Sequence, residues 1–433
     1  MKKIFRRIMK TLTLRIKILL LVIGMLLALI VISTGITLSK LDLIGKEIKE
    51  ITEEGIPLTK IITEITIHQL EQAIHFERAI RFGMEMKSSD AAARNFQIEK
   101  KAFHQLGLKV DDEINEGEKI AQEAINLSIS EASKKEFKNI FDHLKIIEQK
   151  HAQYESHVFS IFNDIAHGIF REYEEIVGKV EAEEDQLDYE LENFLREVEK
   201  FTEESILRTE EEENTVSLMM RGITFFALIF GISISLVLVF TSFNKPLFVG
   251  IERVESEMKE IIQDDIPLTK IITEIAMGQL GQVIWFERAL RLALELKETN
   301  EVTGDYTNAK EKFHRLSNQV EDKINKGVQV AEEAINVVIT EVSRKEFKDV
   351  LRHLKIIEQE HTEYVNEIVA VFEKIAEGQF DAADEIRKIE EKEEALRHKL
   401  ENLLRKIENF TEASILQTEK EEKDIVSLIK NIS

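Results

Sequence analysis

The chain has 433 residues, 43% of them hydrophobic, with 81 acidic against 58 basic side chains and a formal charge of −23. A phosphate backbone selects basic faces, so this balance excludes a nucleic-acid binder. The absence of cysteine excludes disulfides, thiolate catalysis and cysteine-held zinc or iron–sulfur sites, while three prolines and heavy Ala, Glu, Lys, Leu and Ile usage point to long helices.

The N-terminal residues 1–17 carry Lys2, Lys3, Arg6, Arg7, Lys10, Arg15 and Lys17 and no acid. An apolar run from Ile18 to Ile36 follows, and a second extends from Ile223 to Phe240, bounded by Arg221 and Lys245. Each has about the 20 residues that a bilayer core needs. The expectation is therefore two transmembrane helices, 18–38 and 222–243. The basic N-terminus places itself and repeat 2 in the cytoplasm and repeat 1 outside, with Glu210 to Glu213 on the outer approach to the second run. A cleaved signal peptide competes for the first run, and a hairpin returning to the same side competes for the second.

Between and after the runs one sequence is written twice. Residues 57–106 and 267–316 are identical at 24 of 50 positions at an offset of 210, which marks a duplicated domain and not a short solenoid repeat. Ile56 to Ile65 and Ile266 to Ile275 both read IPLTKIITEI, and HLKIIEQ recurs at His143 and His353. One residue is lost in the second copy before Leu400, the counterpart of Leu191. The bundle domains are assigned to 39–221 and 251–433.

Within repeat 1, helix 1 is expected over 41–87 with a restart at Pro57, and the polar stretch KSSDAAARN ends it. Helix 2 is expected over 96–129. Ser133 and Glu136 form a capping-box pattern, repeated at Ser343 and Glu346, so helix 3 is expected from 134 to a left-handed turn at Gly168, matched by Gly378. Helix 4 then runs from 170 into the second apolar run.

Heptad seams support packing. On helix 3 the seam is Ile140, Leu144, Ile147, His151, Tyr154, Val158, Ile161 and Ile165; on helix 4 it is Val177, Val180, Glu184, Leu187, Leu191, Phe194, Val198 and Phe201. Helix 2 offers Phe103, Gly107, Val110, Ile114, Gly117, Ala121 and Ala124. The expected fold is all-α, two homologous up-down-up-down four-helix bundles, with the longer helices 1 and 4 forming a membrane-proximal stalk.

A basic N-terminus, a membrane helix, a four-helix bundle, a second membrane helix and then Lys245-Pro246-Leu247 opening an amphipathic stretch resemble the sensory half of a bacterial chemoreceptor, a methyl-accepting chemotaxis protein. Residues 244–265 are similar to the first helix of a HAMP linker, with Pro246 at the family's proline position. The resemblance covers the order of parts over 1–265. It implies a sensor in the bacterial inner membrane, a ligand bound between bundle helices, and a small piston or rotation relayed through the membrane helix. The chain departs from the family in lacking the glycine-tipped signalling hairpin and any kinase, cyclase or phosphatase motif; a second bundle stands in that place. The resulting expectation is signal transduction through a protein partner, by a homodimer formed through the stalk. The alternative is a membrane-anchored scaffold docking proteins on both bundles.

Candidate chemistry is sparse. Glu148 and His151 form Glu-x-x-His, the spacing that puts two ligands on one helical face in di-iron bundles, with His143 on the same helix and His104 on helix 2. No second Glu-x-x-His completes such a site, and a hydrogen-bonded core histidine is the plainer reading of His151. A second cluster, His68, Glu71 and His75, exists in repeat 1 alone; its counterparts are Gly278, Gly281 and Trp285. It is either a ligand site or a solvated face. Arg78 and Arg81 could clamp a small-molecule carboxylate, although an i,i+4 surface pair between Glu77 and Arg81 is the simpler expectation. No enzyme motif is found and no cofactor is expected.

Overall fold

A computed structural model describes residues 51–86, 89–128, 130–169, 173–231, 266–299, 304–337, 341–379 and 383–432. Among these residues there are eight α-helices: α1 (Ile56–Glu85), α2 (Asp90–Leu127), α3 (Glu131–Ala166), α4 (Tyr173–Gly231), α5 (Ile266–Thr299), α6 (Gly304–Val337), α7 (Glu341–Ala376) and α8 (Ala383–Ile432). The chain is all-α over this range, four helices to a repeat, as the heptad patterns predict.

Local chemistry sets the boundaries. A π-helical turn, Ile51–Gly55, leads into α1, and the helix restarts with Pro57 in its first turn, where no backbone donor is needed. α2 begins six residues earlier than expected. Ser89 accepts from Ala92 N at 3.3 Å, so the polar stretch read as a break contains a cap and the first turn of the next helix. α3 starts three residues early for the same reason: Ser130, not Ser133, is the N-cap, and Ser133 N donates to Ser130 Oγ at 2.9 Å. The C-terminal signal holds. Gly168 and Gly378 have φ of +72° and +76°. Gly168 N donates to Ile165 O and Ile169 N to Asp164 O, the paired bonds of a Schellman turn.

All the expected seam residues of α2 and α3 are buried, and those of α4 are buried up to Val198, with Phe201 half-buried. α1 differs, because it is buried nearly all round, including Thr63, Thr66, Gln69, Gln72, Glu77 and Arg81. One face serves its own bundle. The other packs on α5, and Ile67, Leu70, Ala73 and Ile74 join the core of the second repeat.

Residues 50–204 and 260–413 accordingly form one compact unit holding both bundles. The second unit comprises 1–49, 205–259 and 414–433, of which the ends of α4 and α8 are described. Among the described residues no helix is long and apolar enough to cross a membrane. The expected span at 18–38 and the HAMP-like linker at 244–265 lie outside the described residues, and of the span at 222–243 only the end of α4 lies within them.

Candidate functional site

The polar residues of α1 and α5 meet in a buried ion-pair lattice. Arg78 Nε donates to Glu287 Oε1 at 2.9 Å and Arg81 Nε to Glu287 Oε2 at 3.0 Å, so two arginines grip one carboxylate. Their outer nitrogens reach α8: Arg78 Nη2 to Glu393 at 3.0 Å and Arg81 Nη2 to Glu390 at 2.7 Å. Exchanging the repeats gives the mirror set. Arg288 Nε donates to Glu77 Oε1 at 2.7 Å and Arg291 Nε to Glu77 Oε2 at 3.3 Å, while Arg288 Nη2 reaches Glu184 on α4 at 2.8 Å and Arg291 reaches Glu181. The arginines thus do clamp a carboxylate, but it belongs to the other repeat. The expected surface pair between Glu77 and Arg81 is replaced by these cross-repeat bonds, because both side chains lie in the interface.

Burial works against Glu287, yet Arg81 and Arg78 outweigh it and hold its carboxyl below the ordinary range. The Arg288 half is less well compensated. Burial pushes Glu181 up to about 7 and Asp188 up to about 8, Asp185 adding repulsion at the latter. The two halves also differ in composition. Arg397 occupies the position equivalent to Asp188 and donates to Glu71 at 2.5 Å, whereas Gly281 stands at the position equivalent to Glu71. One half therefore holds an extra cation; the other holds an extra acid, whose Oδ1 is shielded and without a partner among the described residues.

A second polar structure crosses the core of repeat 1. His151, buried in the α3 seam, places Nδ1 3.0 Å from Asp111 Oδ1 on α2 and Nε2 3.0 Å from Gln72 Oε1 on α1. Gln72 Nε2 in turn donates to Glu155 Oε1 at 2.9 Å and to Phe103 O at 3.3 Å. Those two acceptors fix the amide, so its oxygen faces the imidazole and Nε2 must donate. Glu155 fits only because Gly107 lies opposite: a Cβ there would fall 1.7 Å from Glu155 Oε1. Burial raises the Glu155 carboxyl above its usual range.

The layer divides the core of repeat 1. On one side lie Val110, Ile147 and Leu187; on the other lie Phe103, Tyr154, Phe162 and Val180. In repeat 2, Val365 replaces Glu155, Ser317 replaces Gly107 and Glu321 replaces Asp111, and the core is continuous. Gln282 there turns its amine to His361 Nε2 at 3.0 Å, and burial lowers that histidine to about 4.

The other singled-out residues are dispersed. His68 accepts at Nε2 from Lys109 at 2.5 Å and donates from Nδ1 to Glu113 at 2.8 Å; His75 pairs with Glu99 at 2.6 Å. With Glu71 turned to Arg397, these three do not converge. His104 stacks edge-on against Phe159, His143 lies 3.5 Å from Glu197, and Glu148 pairs with Lys145 at 3.1 Å. Among the described residues, His151 is the one of the four metal candidates that sits in a cluster of potential ligands, and its companions are Asp111 and Glu155. Asp111 is one turn beyond Gly107 on a different helix, out of reach of a single-helix spacing rule. The trace in the sequence is the paired exchange of Gly107 and Glu155 for Ser317 and Val365.

No family model, curated protein or solved structure matches the chain.

Proposed function

We propose that the chain is a membrane-attached sensory or signalling adaptor in which the two repeats form an intramolecular counterpart of a symmetric dimer, both on one side of the membrane. The observation that carries the reading is the reciprocal grip of Glu77 and Glu287 by arginines of the opposite repeat. An interface of this kind is isologous, and its two surfaces must be the same surface. That requirement accounts for the concentration of identity in 57–76 and 267–286. The apolar runs 18–36 and 223–240 supply the membrane attachment in this reading.

Division of labour between unequal copies supports a sensory role. Repeat 1 carries a polar layer that interrupts its core; repeat 2 keeps Gln282 and His361 at that level but has Val365 in place of Glu155, and acts as the partner surface. A perturbation at His151 reaches α1 through Gln72, and α1 is the helix that packs on α5. Output passes to a partner protein.

Two experiments test the reading. Lys135 and Lys345 are exposed counterparts, and a membrane-impermeant maleimide applied to intact cells distinguishes sides when each is replaced by cysteine. Both variants reacting, or neither, is the expected result; labelling of only one contradicts it. Capture of partners by cross-linking in cells then separates sensor from tether. A sensor loses or gains partners on Glu155→Val, whereas a docking scaffold retains the same set.

A further inference from the structure

The geometry points to a divalent transition-metal site formed by Asp111, His151 and Glu155 between α2 and α3 of repeat 1. This deepens the sensory reading by naming a ligand class, and rests on it only for the layer's role as input. Potential ligand atoms of the three residues lie within 4.8 Å of one another. Tetrahedral coordination at about 2.0–2.2 Å needs ligand atoms roughly 3.4 Å apart, which side-chain rotation of the two carboxylates supplies.

The imidazole is already oriented for the purpose. Because Gln72 Nε2 is committed to Glu155 and Phe103 O, Gln72 Oε1 faces His151 Nε2 and takes its proton at 3.0 Å. The Nδ1 lone pair is left directed at Asp111 Oδ1, 3.0 Å away. A nitrogen lone pair and a carboxylate oxygen at that distance require a cation between or beside them, either a proton or a metal. An outer hydrogen bond that fixes tautomer and ring orientation is the usual companion of a metal-bound histidine.

The donor set selects the ion. One imidazole and two carboxylates suit zinc, manganese or iron(II) in preference to magnesium, which favours all-oxygen octahedra. Three protein ligands leave a position for water or an exogenous donor. Entry is open from the α2 side, since the Asp111 side chain is 42% exposed while that of His151 is 1% exposed. Repeat 2 serves as an internal control: Val365 removes one ligand, and Gln282 Nε2 sits against His361 Nε2.

The test is equilibrium dialysis of the purified full-length chain in detergent against Zn²⁺ and Mn²⁺, with Mg²⁺ for comparison, followed by elemental analysis. One zinc or manganese ion per chain is expected, with affinity weakened at least tenfold by Asp111→Asn and by Glu155→Val, and unchanged by Glu148→Gln or His361→Gln. Cobalt(II) substitution gives a second readout, a visible d–d band lost in both site variants. Thermal unfolding without metal establishes that the variants are folded. Equal binding by wild type and by the Asp111→Asn/Glu155→Val double variant, or no zinc or manganese bound at millimolar concentration, overturns the site. Neither result bears on the side-of-membrane labelling, so failure of the metal site and failure of the sensory reading are separable.

Discussion

Arg288 Nε donates to Glu77 Oε1 at 2.7 Å, and the same bond with the repeats exchanged runs from Arg78 Nε to Glu287 Oε1 at 2.9 Å. Both carboxylates are fully buried. Such pairs contribute little beyond an apolar packing of equal volume, but removing one member strands the other charge. Glu77→Gln or Glu287→Gln is therefore expected to cost about 3–5 kcal/mol in denaturant unfolding of the full chain. Replacing the whole set of Arg78, Arg81, Glu287, Glu390 and Glu393 together by apolar residues, which leaves no member of it stranded, is expected to cost much less than the sum of the single changes.

The Asp188 half of the lattice makes stability depend on pH. Its carboxyl is pushed up to about 8 from an ordinary 3.8, so the native state holds a proton that the unfolded chain has already released. The contribution is complete below pH of about 4 and is lost as pH rises toward about 8. Glu181, raised to about 7, acts in the same direction. Asp188→Asn should flatten this decline, matching wild type near pH 4 and exceeding it at pH 9. Parallel urea titrations across that range provide the check, and an unchanged slope in the variant counts against the raised Asp188 carboxyl as the source of the decline.

Gln69 and Gln279 are equivalent residues, buried on α1 and α5, and neither amide has a partner among the described residues. A buried unpaired amide costs roughly 1–3 kcal/mol. Gln69→Leu combined with Gln279→Leu is expected to raise the unfolding midpoint. A fall would mean that the amides are satisfied by water in solution.

At Gly168, φ of +72° is a conformation that a side chain disfavours, and open space surrounds the position. Gly168→Ala is expected to cost about 1 kcal/mol through backbone strain alone. Gly107→Ala meets Glu155 instead and should disturb the polar layer, so its loss should be partly reversed by adding Glu155→Val.

The bundle was legible in the sequence wherever one helix face had to be apolar. The seams of α2, α3 and α4 follow the heptad spacing, and the glycine turns at 168 and 378 follow from backbone sterics. Helix starts were less legible, since Ser130 and Ser133 both suit a cap and only local geometry separates them. The α1–α5 interface escaped periodicity for a physical reason: the second face of α1 mixes Ile67, Leu70, Ala73 and Ile74 with the ion-pairing Glu77, Arg78 and Arg81, and those charges read as a solvated face. The identity between the copies carried that information, as a surface that must fit itself. In the candidate site His151 could be read from its seam position and Glu155 follows it at i+4 on α3, a spacing that marks one helical face, but Asp111 and Gln72 come from two other helices and share no local spacing with them.

The central claim is that the repeats pack against each other within one chain. Lys270 of repeat 2 lies 2.8 Å from Glu199 of repeat 1, and Lys60 lies 3.8 Å from Glu408, both at the accessible rim. Zero-length carbodiimide coupling in native membranes, followed by peptide mass spectrometry of the monomer band, tests the claim directly. The account predicts both cross-repeat amides. Their absence, with couplings confined to pairs inside one repeat such as Lys150 with Glu190, would contradict it.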